Sequence, residues 1–410
     1  MTVDFAAVRD DFPILRRELD GAPIIYLDSG NTSQKPRQVI EAMDEFVRTS
    51  YAPINRSAYR LAGEATDRFE GARAAVARFV NAPSTEEIVF TKNATEALNL
   101  VAASWGGPNL GPGDAVLLTH LEHHANIVPW QMLAAKQGFE LRWVPLTADG
   151  QLDLTDLDRL LTGAKAFAFS AMSNVLGTIL PVAHLVSAAH DAGAIAIVDA
   201  CQYVPHNPTD VQVWDADFVA FSSHKMCGPS GVGALWGRIE LLEAMPPYMG
   251  GGNMIADVRL DGFKAAPVPA KFEAGTPAIV EVIGFGAAVE YLESIGMAEI
   301  RRHEMDLTRY AIDSLTARHG DSITIHGSDN VEVRGGVLSF AFRDIHPHDV
   351  SQVLDAHNVC VRAGHHCAKP LMRLLGVSAT VRASLYLYND RSDVDALTDA
   401  LGGVTDIFGL

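Results

Sequence analysis

The chain has 410 residues, 48% of them hydrophobic, enough to bury a large core spread over two or three domains. A net charge of −18 without a dense Lys/Arg run excludes nucleic acid or an anionic membrane as partner and leaves small molecules and other proteins. The four scattered cysteines, Cys201, Cys227, Cys360 and Cys367, exclude a disulfide framework, and Met1 to Asp11 is acidic where an export signal would be basic, so a reducing cytoplasm is expected.

Residues 1–20 are expected to pack on a smaller domain. From Ile24 to Trp236 short apolar runs alternate with helix-period segments, the pattern of a mostly parallel sheet with helical crossovers. Strands are predicted at Ile24–Leu27, Glu87–Thr91, Ala115–Thr119, Glu140–Val144, Ala166–Ser170, Ile195–Asp199, Phe218–Phe221 and Val232–Trp236. From Met245 to Ala270 the chain turns rich in Pro and Gly, which predicts a crossing segment without regular structure. Long helical patterns follow at Ile279–Ile295 and Ala298–Ala317, then strands near Ile323, Val337–Phe342, Cys360 and Val381–Leu385, with helices at Pro347–His357 and the C-terminus. The fold class is therefore α/β, a large domain over 21–265 and a smaller α+β domain over 266–410. Gly284-Phe285-Gly286 imitates a dinucleotide fingerprint, but it lacks the third glycine and lies inside a helical pattern, so helix packing accounts for it.

Three groups of residues carry chemistry. Thr91-Lys92-Asn93-Ala94-Thr95-Glu96-Ala97 follows a strand and opens a helix, where free amides and the helix dipole suit an anion. Alone it is an ordinary N-cap. Ile195–Val198 ends in Asp199, and the next strand runs into Ser222-Ser223-His224-Lys225. A carboxylate and an amine on neighbouring strand ends can bracket a pyridine ring, the acid pairing its protonated nitrogen and the amine forming a Schiff base. Ser222 and His224 add donors for a phosphate. Anion cap, acid and lysine converge on the edge where open α/β sheets bind ligands, and together they outline a pyridoxal phosphate site.

The third group is Arg362-Ala363-Gly364-His365-His366-Cys367-Ala368-Lys369, followed by Arg382. Among these basic neighbours Cys367 suits a thiolate nucleophile, whereas Cys360, inside an apolar run, suits inert packing. His120, His123 and His124 with His365, His366 and Cys367 are also zinc-ligand types, but no His-Glu-x-x-His or Cys-x-x-Cys spacing is present.

Together these motifs, with Tyr26-Leu27-Asp28-Ser29-Gly30, Glu122-His123-His124-Ala125-Asn126, Asp199-Ala200-Cys201-Gln202 and Phe272-Glu273-Ala274-Gly275-Thr276-Pro277, resemble those of group II cysteine desulfurases. This is the SufS type within the class V aminotransferases, which are fold-type I pyridoxal phosphate enzymes. The resemblance covers nearly the whole chain. It implies that Lys225 holds the cofactor, His123 stacks on its ring, Asp199 pairs the ring nitrogen and Gln202 reaches the ring oxygen. It further implies that Ala94, Thr95, Ser222 and His224 surround the phosphate, with Thr276 supplied by the second subunit of a homodimer. Arg382 and Arg362 would hold the carboxylate of L-cysteine, with Asn55 and Arg56 at the mouth. Cys367 would take the sulfur as a persulfide, leaving alanine, to supply iron–sulfur cluster assembly. A histidine at the position of His348 becomes a transient zinc ligand in relatives served by the acceptor SufU, and relatives served by SufE usually lack it, so a SufU-like acceptor is expected.

Two departures stand out. Asn55-Arg56-Ser57-Ala58-Tyr59 replaces the family's His-Arg-Gly-x-His run, and Cys201 stands where relatives often carry alanine. The motifs also accommodate a selenocysteine lyase or a sulfur donor dedicated to one biosynthetic pathway. A non-catalytic assembly subunit would need neither Lys225, Asp199, Cys367 nor Arg382.

Overall fold

In the computed structural model, which describes residues 3–55 and 57–408, the apolar runs of the first half assemble into one seven-stranded sheet. Its strands are β1 (Ile88–Thr91), β2 (Ala115–Thr119), β3 (Glu140–Val144), β4 (Ala164–Ser170), β5 (Ile195–Asp199), β6 (Phe218–Ser222) and β7 (Gly233–Gly237). The spatial order is β1-β7-β6-β5-β4-β2-β3, all parallel except β7, which runs antiparallel to β1 and β6. Helices cover both faces, so the central strands are buried on each side and read as continuous apolar runs. β7 opens with Gly233, where a Cβ would come within 2.7 Å of Asn93 Cα and 2.8 Å of the Phe221 oxygen. Only glycine lets this strand pass beneath the start of the Ala94–Leu100 helix.

The Pro/Gly-rich stretch differs from expectation. It contains an exposed hairpin, β8 (Ile255–Arg259) and β9 (Gly262–Ala265), with Leu260-Asp261 at its turn. Helix Ile279–Ile295 then packs on Arg37–Thr49 and Arg60–Phe79. A Cβ on Gly286 would lie 2.7 Å from the Ala72 Cβ, so these glycines serve close helix packing, as their place in a helical pattern indicates. Apolar side chains of this helix and Ile300 beyond it join the core of the large sheet.

The C-terminal unit is an antiparallel sheet of β10 (Ile323–Ile325), β11 (Val337–Phe342), β12 (Arg362–Gly364) and β13 (Thr380–Ser384), in the order β10-β11-β13-β12. Helices Met297–His319, Pro347–Ala356 and Arg391–Phe408 pack on it. Ile25–Tyr26, expected to open the large sheet, instead pairs in parallel with Val359–Cys360, and Leu27 joins the C-terminal core. This pairing brings Asp28–Ser33 to the junction of the two sheets. The N-terminal segment also joins both units: Phe12 and Leu15 enter the large core, while Arg9 donates to Asp393 at 2.7 Å. No described helix is long and apolar enough to cross a membrane.

Candidate active site

β1, β2, β4, β5 and β6 all end on one edge of the large sheet, and the loops after them enclose a cavity of about 250 Å³ closed on its far side by the C-terminal unit. At one end Asn93 caps the following helix, its Oδ1 accepting the Glu96 N–H at 2.9 Å, while the Ala94 N–H donates to Ser222 Oγ at 2.8 Å. Ala94, Thr95, Ser222 and His224 all line the cavity. Burial, then the positive charges of Lys225 and Lys35, push His224 down to about 4, so it is neutral and available as a hydrogen-bond donor.

Asp199 lies at the floor, buried at the end of β5, and its Oδ1 accepts the Cys201 N–H at 3.0 Å. Burial raises its proton affinity, against the Cys201 N–H and the charge of Lys225. A protonated ring nitrogen is the partner that would restore its charge. Lys225 sits in the single turn Ser223–Lys225 after β6, and the N-terminal segment grips this turn from behind. The His224 carbonyl oxygen accepts from Ser33 N–H and Ser33 Oγ at 3.0 Å each, Thr32 Oγ1 at 3.1 Å and Lys35 Nζ at 3.2 Å. His123 lines the cavity after β2. Its Nδ1 accepts the Ala125 N–H at 3.1 Å, which puts the proton of the neutral ring on Nε2. Burial, then Lys225 and other nearby cations, push it down to about 3.

At the opposite end Arg382, on β13, is 1% exposed. It donates through Nη2 to Asp28 Oδ1 at 3.1 Å and through Nη1 to the Asn174 oxygen at 3.0 Å. Its Nε is buried without a partner, and so are Asn174 Oδ1 and Gln202 Oε1. Buried polar atoms are normally satisfied, so these orphans, with His366 Nδ1 as a fourth on the cavity lining, mark the place of a polar ligand. With an anion cradle, a floor carboxylate and a lysine, this donor set fits pyridoxal phosphate carrying an amino acid.

Cys367 lines the same cavity as Lys225. His366 and Cys367 both adopt left-handed backbone, φ 50° and 57°, which turns the chain sharply into the helix Lys369–Leu374. The turn is pinned from several sides: His124 N–H donates to the Cys367 oxygen at 2.8 Å, and Asn174 Nδ2 to the His366 oxygen at 2.7 Å. Leu371 and Met372 anchor the helix in the large core. The imidazoles around the thiol are occupied with protein: His124 Nε2 accepts the Lys369 N–H at 3.0 Å, His365 Nδ1 faces Cys367 N–H at 3.3 Å, and His366 Nε2 faces Thr380 Oγ1 at 2.9 Å. Among the described residues no group of three or more His, Cys, Asp or Glu side chains is set to hold a metal.

Some expected residues lie elsewhere. Thr276 is exposed and lines a separate groove with Lys92, Asn93 and Glu273. Asn55 is exposed, its N–H on Thr66 Oγ1 at 2.9 Å, and is not in the cavity lining; Arg56 lies outside the described residues. His348 is exposed at the start of the Pro347–Ala356 helix, its ring stacked on His346 with centroids 5.3 Å apart. Conversely, the sequence reading passes over Asn174 and Asn31, which line the cavity. Asn31 Oδ1 accepts from Arg362 Nη1 at 2.8 Å and so orients the second guanidinium. The signal for Asn174 was its place just beyond the predicted end of β4, on the ligand-binding edge.

The description of the aminotransferase class-V family matches residues 25–397. A probable cysteine desulfurase of Streptomyces coelicolor is 49% identical over 99% of this chain and 98% of its own. Among solved structures, the cysteine desulfurase CsdA of Escherichia coli, in an S-sulfonic acid form, superposes with a TM-score of 0.90 at 39% identity, covering 99% of this chain and all (100%) of that one. The apo cysteine desulfurase of Thermococcus onnurineus NA1 gives 0.93 at 40%, with both chains covered over 100%. The family match thus runs from Ile25 into the last helix and takes in both sheets, and the chain belongs to the class-V aminotransferase family.

Proposed function

We propose that this protein is a pyridoxal phosphate-dependent cysteine desulfurase, which moves the sulfur of L-cysteine onto Cys367 and releases alanine. The observation that carries the reading is that Lys225 and Cys367, from different sheets, line one small cavity whose far end presents an unpartnered guanidinium nitrogen. Ala94, Thr95, Ser222 and His224 would hold the cofactor's phosphate, Asp199 its ring nitrogen, Gln202 its ring oxygen and Lys225 its aldehyde carbon. When bound, the cofactor withdraws electrons from the substrate carbon that bears the amine.

The protein's own groups do the rest. Arg382, backed by Arg362, binds the substrate carboxylate through its planar fork. The Lys225 amine, which lines the cavity, would serve as the base for the Cα proton. His123, neutral with its proton on Nε2, covers the cavity and can pass that proton without first losing a charge. The Cys367 sulfur attacks the substrate sulfur: the S–S bond forms, the C–S bond breaks, and the electron pair leaves with the carbon fragment, which takes up one proton at Cβ and recovers one at Cα to become alanine.

The finer reading is a SufS-type homodimer in the cytoplasm that supplies sulfur for iron–sulfur clusters through a SufU-like acceptor. Four reduced cysteines support the compartment. The position of Thr276 away from its own chain's cavity supports a site completed by a second subunit. The exposed His348 supports an acceptor that shares a metal ligand. The test is mass spectrometry of the cofactor-loaded protein after exposure to L-cysteine. One extra sulfur on Cys367 with matching alanine is expected, and Cys367→Ala should retain the yellow colour but form neither. Undiminished alanine and sulfide from Cys367→Ala would end the proposal.

A further inference from the structure

Glu122 is a buried carboxyl group for which the reaction above has no task. It is 1% exposed, does not line the cavity, and among the described residues no Lys or Arg pairs with it. Instead four donors converge on it. Oε1 accepts from Thr119 Oγ1 at 2.5 Å and Ser170 N–H at 3.0 Å; Oε2 accepts from Asn126 Nδ2 at 2.7 Å and Ser170 Oγ at 2.8 Å. All four lone-pair directions of a carboxylate are thereby used. The donors come from three places: the end of β2, the end of β4, and the turn His124–Asn126. Burial pushes the carboxyl up to about 7 while these bonds oppose it, so a polar group is held here at a cost an apolar side chain would not incur.

The loop that Glu122 ties down has two working ends. His123 covers the cavity, with its tautomer set by the Ala125 N–H inside the loop. His124 reaches the opposite sheet, its N–H on the Cys367 oxygen at 2.8 Å and its Nε2 receiving the Lys369 N–H at 3.0 Å. One short segment, fixed to the sheet through a single carboxylate, thus carries His123 and is hydrogen-bonded through His124 to the turn that carries Cys367.

We infer that Glu122 is a positioning residue for sulfur transfer: by clamping residues 122–126 to the ends of β2 and β4 it sets the separation of His123 and Cys367. The inference rests on the desulfurase reading. A misplacement on the scale of 1 Å in a reacting group costs up to about 100-fold in rate, so the clamp acts on turnover more than on binding.

The test compares Glu122→Gln, a neutral isostere, with Asn126→Ala, which cuts the loop from the carboxylate but leaves its bonds to both strands. Hydrogen exchange of the cofactor-loaded protein should rise about 10-fold, together, in segments 122–127 and 366–370, with β2 and β4 unchanged. kcat for L-cysteine should fall about 10-fold with KM within about 2-fold. Exchange at 366–370 equal to wild type in both variants overturns the inference, and so does a rise spread evenly over β2 and β4, the mark of a merely structural role. If Glu122→Gln does not fold, Asn126→Ala decides alone. Wild-type protein that makes no alanine from L-cysteine would refute the desulfurase reading, while the exchange measurements would still decide on the clamp.

Discussion

Replacing Arg382 with lysine keeps a positive charge but removes the planar fork. In the structure two of the three guanidinium nitrogens are committed, one to Asp28 and one to the Asn174 carbonyl, and the third is buried without a partner. A lysine ammonium that satisfies Asp28 has no second, rigidly placed N–H for an incoming carboxylate. One hydrogen bond to a charged group is lost, about 1.5–3 kcal/mol. The shortfall is felt fully because the site is buried, so kcat/KM for L-cysteine should fall about 10- to 150-fold, mostly through KM. The assay is the initial rate of alanine formation over a range of L-cysteine concentrations, with cofactor content checked by absorbance. Cysteamine, which has the amine and thiol but no carboxylate, serves as control for the amine-exchange step, read by the change in cofactor absorbance. It should react equally with both proteins. An unchanged KM for L-cysteine, or an equal loss towards cysteamine, would show that Arg382 does not read the carboxylate.

Three further outcomes follow from the same geometry. Lys225→Ala should bind the cofactor without the yellow absorbance of the lysine adduct and should yield no alanine; a yellow, active variant would place the anchoring amine elsewhere. Glu273 pairs with the buried Arg73 at 2.7 Å and also accepts the Phe90 N–H at 2.8 Å, so Glu273→Gln should cost about 3–5 kcal/mol, read as a lower urea midpoint. In the cofactor-free protein His123 and His366 are held at about 3 and His224 at about 4, against roughly 6.5 in the unfolded chain. Between those values the unfolded state binds more protons, so the stability they contribute is complete above about pH 6.5 and falls on acidification, on the order of 1 kcal/mol per histidine per pH unit. Urea midpoints at pH 7 and pH 5 check this, and His366→Gln should flatten the difference.

The sheet and its ligand-binding edge were legible because β-branched and aromatic runs of strand length alternate with helix-period segments, and because strand-end positions converge in any parallel sheet. Lys225, Asp199 and the Asn93–Thr95 cap were found by that rule. What failed depended on distant partners. Ile25–Tyr26 pairs for two residues with Val359–Cys360, and so short a pairing leaves no periodicity to assign it to one sheet or the other. The Asp28–Arg382 bond joins the same distant parts of the chain. The hairpin at 255–265 was masked by flanking Pro and Gly, and its Leu260-Asp261 loop lacks the Asn-Gly or Asp-Gly pair that announces a two-residue turn. Asn174 sits past the end of β4 in a loop, where its place on the ligand-binding edge was the signal and residue type added none.

Cys367 stands on a left-handed turn bonded to His124 and rooted through Leu371 in the core of the neighbouring sheet. On the proposed function, such a mounting gives the sulfur a berth on a short anchored turn and no long tether on which to swing out. Whatever collects that sulfur has to make the journey itself, threading a slim, protruding thiol through the opening, and bulky thiols should unload the enzyme far more slowly than small ones.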